Sequence, residues 1–482
     1  MAFRLPASHS PAWVMAESAV AAVFSLLSML VIGRVIGPHE AGIGAVAVSV
    51  FLLADIAGAA LFPDALVQRP GLTGRHARSA ITVSVLAGIG AAMVLAGTGP
   101  LIGSASGQMA IPMLLFALAP LLPLSAFAGA AAGLATRDQR FRLLALRVLL
   151  GQPLGLGAGL VAAAHGFGAW AMVINQAVVT GFVFLLFLAE GRTPLRPLLD
   201  RAALAELWPV ALPQLASLVL MIGRYRIFLI AVGFVVAEAA LAQAHFAFRM
   251  LDAVLVMVWQ SVTRIALPRL CAVQADRDAL AECHGQMTQL QALLGLSLSI
   301  GVALVAEDLV AALLGPAWAG TADAARIAGL CAAATFLHGN HFSLFVAVGK
   351  ARRNFQLAAA QLALPLAALL LFRPEDAAGV AASWGASGVL MAPIMFALVL
   401  RELGRSPLWL LRQSLPALAG SAAMVAVVLA VQAMMPQAAP MLRLLAASAA
   451  GGIAFLGVAW LALGARPPLA LRAWRAAPVA AE

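Results

Sequence analysis

The chain is a succession of long apolar runs, each broken by a short cluster of polar and basic residues. Runs such as 158–164 and 422–431 carry neither charge nor any alternation of apolar and polar positions. A helix needs roughly 20 apolar residues to cross the ~30 Å hydrocarbon core of a bilayer. A transmembrane strand needs about 10 residues of alternating character. Lipid offers no hydrogen bonds to the backbone, so only helices and closed barrels span it. The unbroken runs therefore predict helices. They place fourteen spans at 12–35, 40–66, 79–103, 109–135, 143–164, 167–189, 207–233, 240–262, 285–306, 322–348, 356–372, 377–400, 413–433 and 441–463. Gly37-Pro38, Gly99-Pro100, Gly315-Pro316, Arg373-Pro374 and Pro436 punctuate the joins.

Composition agrees. Hydrophobic residues make up 63% of the 482 residues and charged residues 10%, with a mean hydropathy of +0.99. Soluble domains carry roughly 25% charged residues. The formal net charge of +10 would suggest nucleic acid in a soluble chain, but here its distribution has another meaning. Arg69, Arg75 and Arg78 fall in one loop, and Arg137, Arg140 and Arg142 in the next but one. The alternation continues with Arg192, Arg196 and Arg201, then Arg264, Arg269 and Arg277, then Lys350, Arg352 and Arg353, then Arg401, Arg405 and Arg412. Arg466, Arg472 and Arg475 follow in the tail, and the intervening loops hold only Arg373. Basic residues collect on the cytoplasmic side, so both termini are expected there, in a bacterial inner membrane. Contacts with anionic headgroups are a secondary use of the same charge.

The expected division is a cytoplasmic tail at 1–11, an N-terminal half at 12–192, a cytoplasmic amphipathic linker at 193–206, a second half at 207–400, accessory helices at 413–463 and a tail at 464–482. VIGPHEAG at 35–42 and VGFVVAEAAL at 232–241 precede spans that carry Asp55 and Asp252. That similarity predicts two pseudo-symmetric bundles, an arrangement used by transporters. Cys271, Cys283 and Cys331 have no metal-ligand spacing and read as structural. The first apolar run is too long for a cleavable signal peptide. Trp170, Trp318 and Trp384 lie near outer span ends, where tryptophan anchors helices at the interface.

Few charges fall inside the spans, and such charges face a cavity or a partner. Arg224 and Arg226 lie in the seventh span, Arg249 and Asp252 in the eighth, Asp55 in the second and Glu17 near the start of the first. The planar guanidinium fork binds phosphate oxygens through several charge-assisted hydrogen bonds, so these arginines are candidate ligands for a phosphorylated substrate. Arg224 and Arg226 diverge by roughly 200° on a helix. Arg224 is the better placed, and Arg226 has Asp55 or Glu17 as alternative partners. Arg249 and Asp252 are spaced to pair with each other. A mid-depth carboxylate at Asp55, Asp252 or Glu17 either couples transport to H+ or Na+ or forms a salt bridge. Asn175 and Gln176 in the sixth span, with His338, Asn340 and His341 in the tenth, are polar cavity-wall candidates. For the histidine pair a metal, a sugar contact and interhelical hydrogen bonding all remain open. No nucleophile motif, phosphate-binding glycine loop or zinc spacing is present, so covalent catalysis and ATP hydrolysis are not expected.

IGRVIGPHEAGIGAVAVSVFLLADIA at 32–57, ALVQRPGLTGRHARSA at 65–80, AHFAFRMLDAVLVMVWQSVTRIALPRL at 244–270 and VAVGKARRNFQLA at 346–358 resemble the Wzx-type polysaccharide flippases of the multidrug/oligosaccharidyl-lipid/polysaccharide superfamily. The resemblance covers most of the chain. It implies a non-enzymatic transporter that moves a polyprenyl pyrophosphate-linked oligosaccharide to the periplasmic leaflet, without cofactor, alongside polymerase and export machinery. One departure concerns helix seven, where relatives often follow the arginine with an acid three positions on. Here Arg224 is followed by Ile227, with Arg226 between. A multidrug cation antiporter of the same superfamily is the alternative, as is a non-transport membrane component of polysaccharide assembly.

The orientation has a direct test in a variant with Cys271, Cys283 and Cys331 changed to serine. A membrane-impermeant thiol reagent outside intact cells is expected to label a cysteine at Gly168 or Gln437 and to leave one at Arg69, Arg140 or Arg196 unlabelled. The opposite labelling would reverse the orientation.

Overall fold

The computed structural model describes residues 11–221, 223–466 and 468. Arg472 and Arg475, with most of both expected tails, lie outside the described residues. Among the described residues all regular structure is helical. Within these described residues ten helices are long and apolar enough to cross a membrane by length and composition, which makes this a multi-pass membrane protein. The chain divides into two compact units at Ala242 and Gln243.

The first unit contains α1 (Pro11–Ala59), α2 (Pro63–Gln68), α3 (Gly74–Ser106), α4 (Ala110–Leu118), α5 (Leu121–Arg137), α6 (Phe141–Ala164), α7 (Trp170–Glu190), α8 (Arg201–Met221) and α9 (Gly223–Val232). The first turn of α10 (Glu238–Ala272) also belongs to it. One expected break does not interrupt its helix, and another does. Pro100 sits inside α3. The first two spans are two helical stretches within α1 that meet at Gly37, whose φ 80° and ψ 168° are not helical. Helices in lipid gain nothing by hiding apolar surface from one another, so small residues and close approach hold them together. A Cβ on Gly129 of α5 would stand 2.1 Å from the Ala59 carbonyl oxygen of α1, and one on Gly88 of α3 would stand 2.8 Å from Pro123. On α6, Gly155 and Gly159 admit Val179 and Ala171 of α7 in the same way.

The second unit holds the rest of α10, then α11 (Arg277–Leu313), a 3-10 turn (Pro316–Trp318), α12 (Ala319–Ala334), α13 (His341–Ala347), α14 (Ala351–Phe372), α15 (Ala377–Leu403), α16 (Pro407–Met434) and α17 (Pro440–Ala462). Close approaches recur, with Gly329 against the Ser299 carbonyl and Gly385 against Cys331. All three cysteines are free thiols. Trp318 is not an interfacial anchor as expected. It is fully buried and stacked on Phe246, with centroids 4.1 Å apart.

Several of the basic loop residues cap helix ends. Arg137 donates from Nη1 to the carbonyls of Leu66, Val67 and Arg69 at 2.9, 3.1 and 2.6 Å, closing α2. Arg277 does the same for α15 through the carbonyls of Arg401 and Glu402 at 2.9 and 3.0 Å. Cationic side chains at these ends complement both the orphan carbonyls and the helix dipole.

The 193–206 segment differs from its expected amphipathic helix. Its backbone is irregular through Asp200, and helix begins only at Arg201. Tertiary hydrogen bonds replace the helical ones. The amides of Leu198 and Asp200 donate to the hydroxyls of Thr82 and Ser79 on α3 at 3.1 and 3.0 Å. Asp200 accepts from the amides of Ala202 and Ala203 at the start of α8. Glu206 closes the attachment with Arg69 and with His76 Nε2 at 2.8 Å. The compact unit does not end at this segment but continues to Ala242.

Gly129→Ala is expected to lower the thermal stability of the purified protein in lipid by about 1–3 kcal/mol, the usual cost of overpacking. Gly181→Ala, where a Cβ meets nothing within 4 Å, is expected to be neutral or mildly stabilising. The attachment of the 191–200 segment is expected to respond to pH. The His76 hydrogen bond, with Arg69 beside it, holds the Glu206 carboxyl below the usual carboxylate range. A lowered folded value contributes stability above the ordinary range, which is lost as pH falls through the folded value. Proteolysis within 191–200 should therefore rise in strong acid, and Glu206→Gln should show that faster cleavage already at neutral pH. Equal cleavage of variant and native protein at neutral pH would show that the carboxylate does not hold the segment.

Candidate functional site

In the first unit α9 packs on the second half of α1. A Cβ on Gly223 would meet Leu53 at 3.4 Å. Arg224 and Arg226 follow on the same helix, both half-buried. Arg226 Nη1 donates to the Ser49 hydroxyl at 3.4 Å, and its guanidinium lies 5.9 Å from the Tyr225 ring centroid. The expected pairing of Arg226 with Asp55 or Glu17 is thus replaced by a hydroxyl partner on α1. Glu17 pairs instead with Arg147 of α6, Oε1 to Nη2 at 3.0 Å. Arg147 escaped the sequence reading although its signal was present, as a lone arginine within an apolar run of the fifth span.

Asp55 makes no ion pair among the described residues. Ser125 of α5 hydrogen-bonds its carboxyl, while Oδ1 is buried without a hydrogen-bond partner. Of the expected ion-coupling carboxylates in this unit, Asp55 keeps a vacant acceptor and Glu17 is engaged. Asn175 sits in the α6–α7 contact, 3.4 Å from the place of a Cβ on Gly155, with its Nδ2 buried and unpartnered. Gln176 donates to Thr180 one turn along α7 at 3.0 Å. The two residues therefore take up helix packing and local hydrogen bonding.

In the second unit Arg249 and Asp252 occupy half-buried positions one turn apart on α10. The polar cluster expected within a tenth span lies in a helix break. Helix α12 stops at Ala334 and α13 starts at His341, with Gly339 at φ 71° between them. Asn340 is fully buried and caps α13, accepting from the Ser343 amide at 3.0 Å. Its Nδ2 donates to Thr263 of α10 at 2.8 Å. His338 and His341 meet edge to face with centroids 4.9 Å apart. His284 of α11, absent from the sequence-based candidates, completes the cluster through the His338 carbonyl at 3.3 Å.

Helices α11, α16 and α17 also enclose an open apolar groove of about 580 Å³, lined by residues including Leu294, Val302, Met424, Val428, Gly451 and Leu456. Its wall is tied at one end by an ion pair that the sequence reading missed. Asp308 of α11 is 1% exposed and accepts from Arg443 Nε of α17 at 2.5 Å. Gln432 of α16 reaches the same carboxylate at 3.4 Å and the Leu304 carbonyl at 3.0 Å. A buried carboxylate needs such partners.

No curated protein matches the chain. Among solved structures it is similar to the lipid II flippase MurJ in an inward closed conformation, with a TM-score of 0.75 at 11% identity, covering 94% of this chain and 98% of that one. It is also similar to an inward-facing MATE family multidrug resistance transporter of the MOP superfamily, with a TM-score of 0.64 at 14% identity, covering 81% and 98%. At these identities the likeness establishes the fold. The model of the family described as polysaccharide biosynthesis protein matches residues 31–323, more than half of the chain, and so the protein, an all-helical membrane chain with the fold of MOP superfamily transporters, belongs to that polysaccharide biosynthesis family.

Proposed function

We propose that the chain flips a polyprenyl pyrophosphate-linked oligosaccharide repeat unit from the cytoplasmic to the periplasmic leaflet of the bacterial inner membrane, for exopolysaccharide or lipopolysaccharide synthesis. The observation that carries this reading is the placement of Arg224, Arg226 and Arg249 on helices of a polysaccharide-biosynthesis chain with a flippase-like fold. A pyrophosphate surrenders its hydration on leaving water, and arginine forks replace it with charge-assisted hydrogen bonds. A cationic drug would be repelled by the same side chains. The oligosaccharide needs polar surface, whereas the polyprenyl tail needs none. The apolar groove between α11, α16 and α17 suits that tail, since burial there exposes no unpaired polar group. The unpartnered Asp55 oxygen makes this carboxylate the preferred seat for a coupling H+ or Na+. Asp252 remains a second candidate, and Glu17, bound to Arg147, takes a structural role. The product faces the periplasm, where polymerase and export machinery would receive it.

Cells lacking the protein are expected to accumulate complete lipid-linked repeat units facing the cytoplasm, measured by extracting the lipid-linked oligosaccharides and probing their accessibility in intact cells. Normal polymer output combined with altered drug tolerance would sink the flippase reading. Arg224→Ala and Arg249→Ala should each abolish polymer export while the protein stays in the membrane, whereas Asp55→Asn should remove the dependence on an ion gradient. Full export by both arginine variants would refute the cationic lining.

A further inference from the structure

The break between α12 and α13 is held against α11 by imidazoles. A carbonyl only accepts hydrogen bonds, so the protons at two contacts are assignable. His284 Nε2 must donate to the His338 carbonyl at 3.3 Å. His338 Nδ1 must donate to the Gly339 carbonyl at 3.0 Å. In their neutral forms this leaves His284 Nδ1 and His338 Nε2 as bare lone pairs. His284 Nδ1 is buried without a partner, and so is His341 Nδ1. Buried polar atoms without partners are rare in folded proteins, and each has a cause. His284 is fully buried and His338 is 3% exposed, so bulk water does not supply the missing bonds.

The surroundings offer nothing to neutralise added charge. Among the described residues no carboxylate oxygen lies within 4 Å of these ring nitrogens, in contrast to His39 and His76, which meet Glu238 and Glu206. From α10 the cluster faces the Thr263 hydroxyl through Asn340. From α11 it faces the Thr288 hydroxyl, whose own proton goes to the His284 carbonyl at 2.8 Å, with the Cys283 thiol next in sequence. From α13 the Phe345 ring lies 6.3 Å from His341, and Arg353 of α14 covers that same ring at 5.8 Å. Glu402 of α15 is taken up by Arg353 and Lys350. From α16, Trp409 and Gln413 pack at Gly285 beside His284. The contact is tight, since a Cβ on Gly339 would stand 2.1 Å from the Thr288 hydroxyl oxygen and 2.8 Å from His284 Nε2.

We propose that His284, His338 and His341 form a proton-binding site that controls the packing of the helix break at residues 335–340 against α11. With neutral rings the break is closed onto α11 by the His284 bond to the His338 carbonyl. A proton bound at a bare nitrogen creates an N–H donor with no acceptor and a positive charge beside a second imidazole. Both are relieved when the 335–340 segment separates from His284 and admits water. The site acts within the second unit, and it stands whether or not the cargo is a lipid-linked sugar.

The test is amide hydrogen exchange of the full chain in lipid nanodiscs, followed for peptides covering 335–347 and corrected for intrinsic rates. Lowering the pH from about 8 to about 5 is expected to raise exchange there roughly tenfold, with no comparable change in the 377–400 helix. In the double variant His284→Gln/His341→Gln, the side-chain amide introduced at position 284 can still donate to the carbonyl but cannot take up a proton, so the rise should fall to the part that His338 alone supplies, at most about a third of the native rise. A flat response in the native chain, or the full rise in the double variant, would overturn the site. If the double variant does not fold, His341→Gln alone decides: the rise must shrink, and an unchanged rise overturns the proposal. Loss of lipid-linked sugar export leaves this readout untouched, so failure of the transport reading and failure of the proton site are distinguishable.

Discussion

Hydrocarbon neither donates nor accepts a hydrogen bond, and every polar group of this chain must therefore be answered from within the protein or at the water boundary. The backbone meets that demand by remaining helical. Where helices end, side chains take over: Arg137 and Arg277 serve the carbonyls at the ends of α2 and α15, and Asn340 serves the first turn of α13. The same demand sorts the charges. Glu17 has Arg147 and Asp308 has Arg443, so these side-chain pairs hold helices together. Asp55, His284 and His341 each retain a buried atom without a hydrogen-bond partner.

The fold was largely legible because its governing pattern is coarse. Apolar runs of bilayer length and the alternation of arginine-rich loops survive errors of several residues in any boundary, and each expected span falls on a helix or a helix pair. What stayed hidden depends on specific partners. Arg147 looks like a stray charge until α1 and α6 bring Glu17 to it. Trp318 has the position of an interfacial anchor, yet Phe246 draws it into the core. The 193–200 segment has a helical pattern, but hydroxyls on α3 compete for its amides. His338, Asn340 and His341 were visible as an anomaly in a helix. The anomaly is the helix break itself, and His284 joins it only through tertiary structure.

The two units meet the solvent problem with different chemistry. The first carries a carboxylate with an open oxygen on α1 and two arginines on α9. The second has an interrupted helix, a histidine cluster and an apolar groove braced by a buried ion pair.

The bend at Gly37 carries a practical consequence for engineering. Because α1 passes from one span to the next with a single positive-φ residue and no loop, that turn has no slack chain to absorb an insertion. Glu40, three residues on, already spends a carboxylate oxygen on the Ala169 amide at 2.8 Å, at the entrance to α7. An epitope tag, a protease site or a fluorescent domain placed between the first two spans would pull this cap apart. The short turn at 435–439, where α16 and α17 already separate, is the better site for a handle.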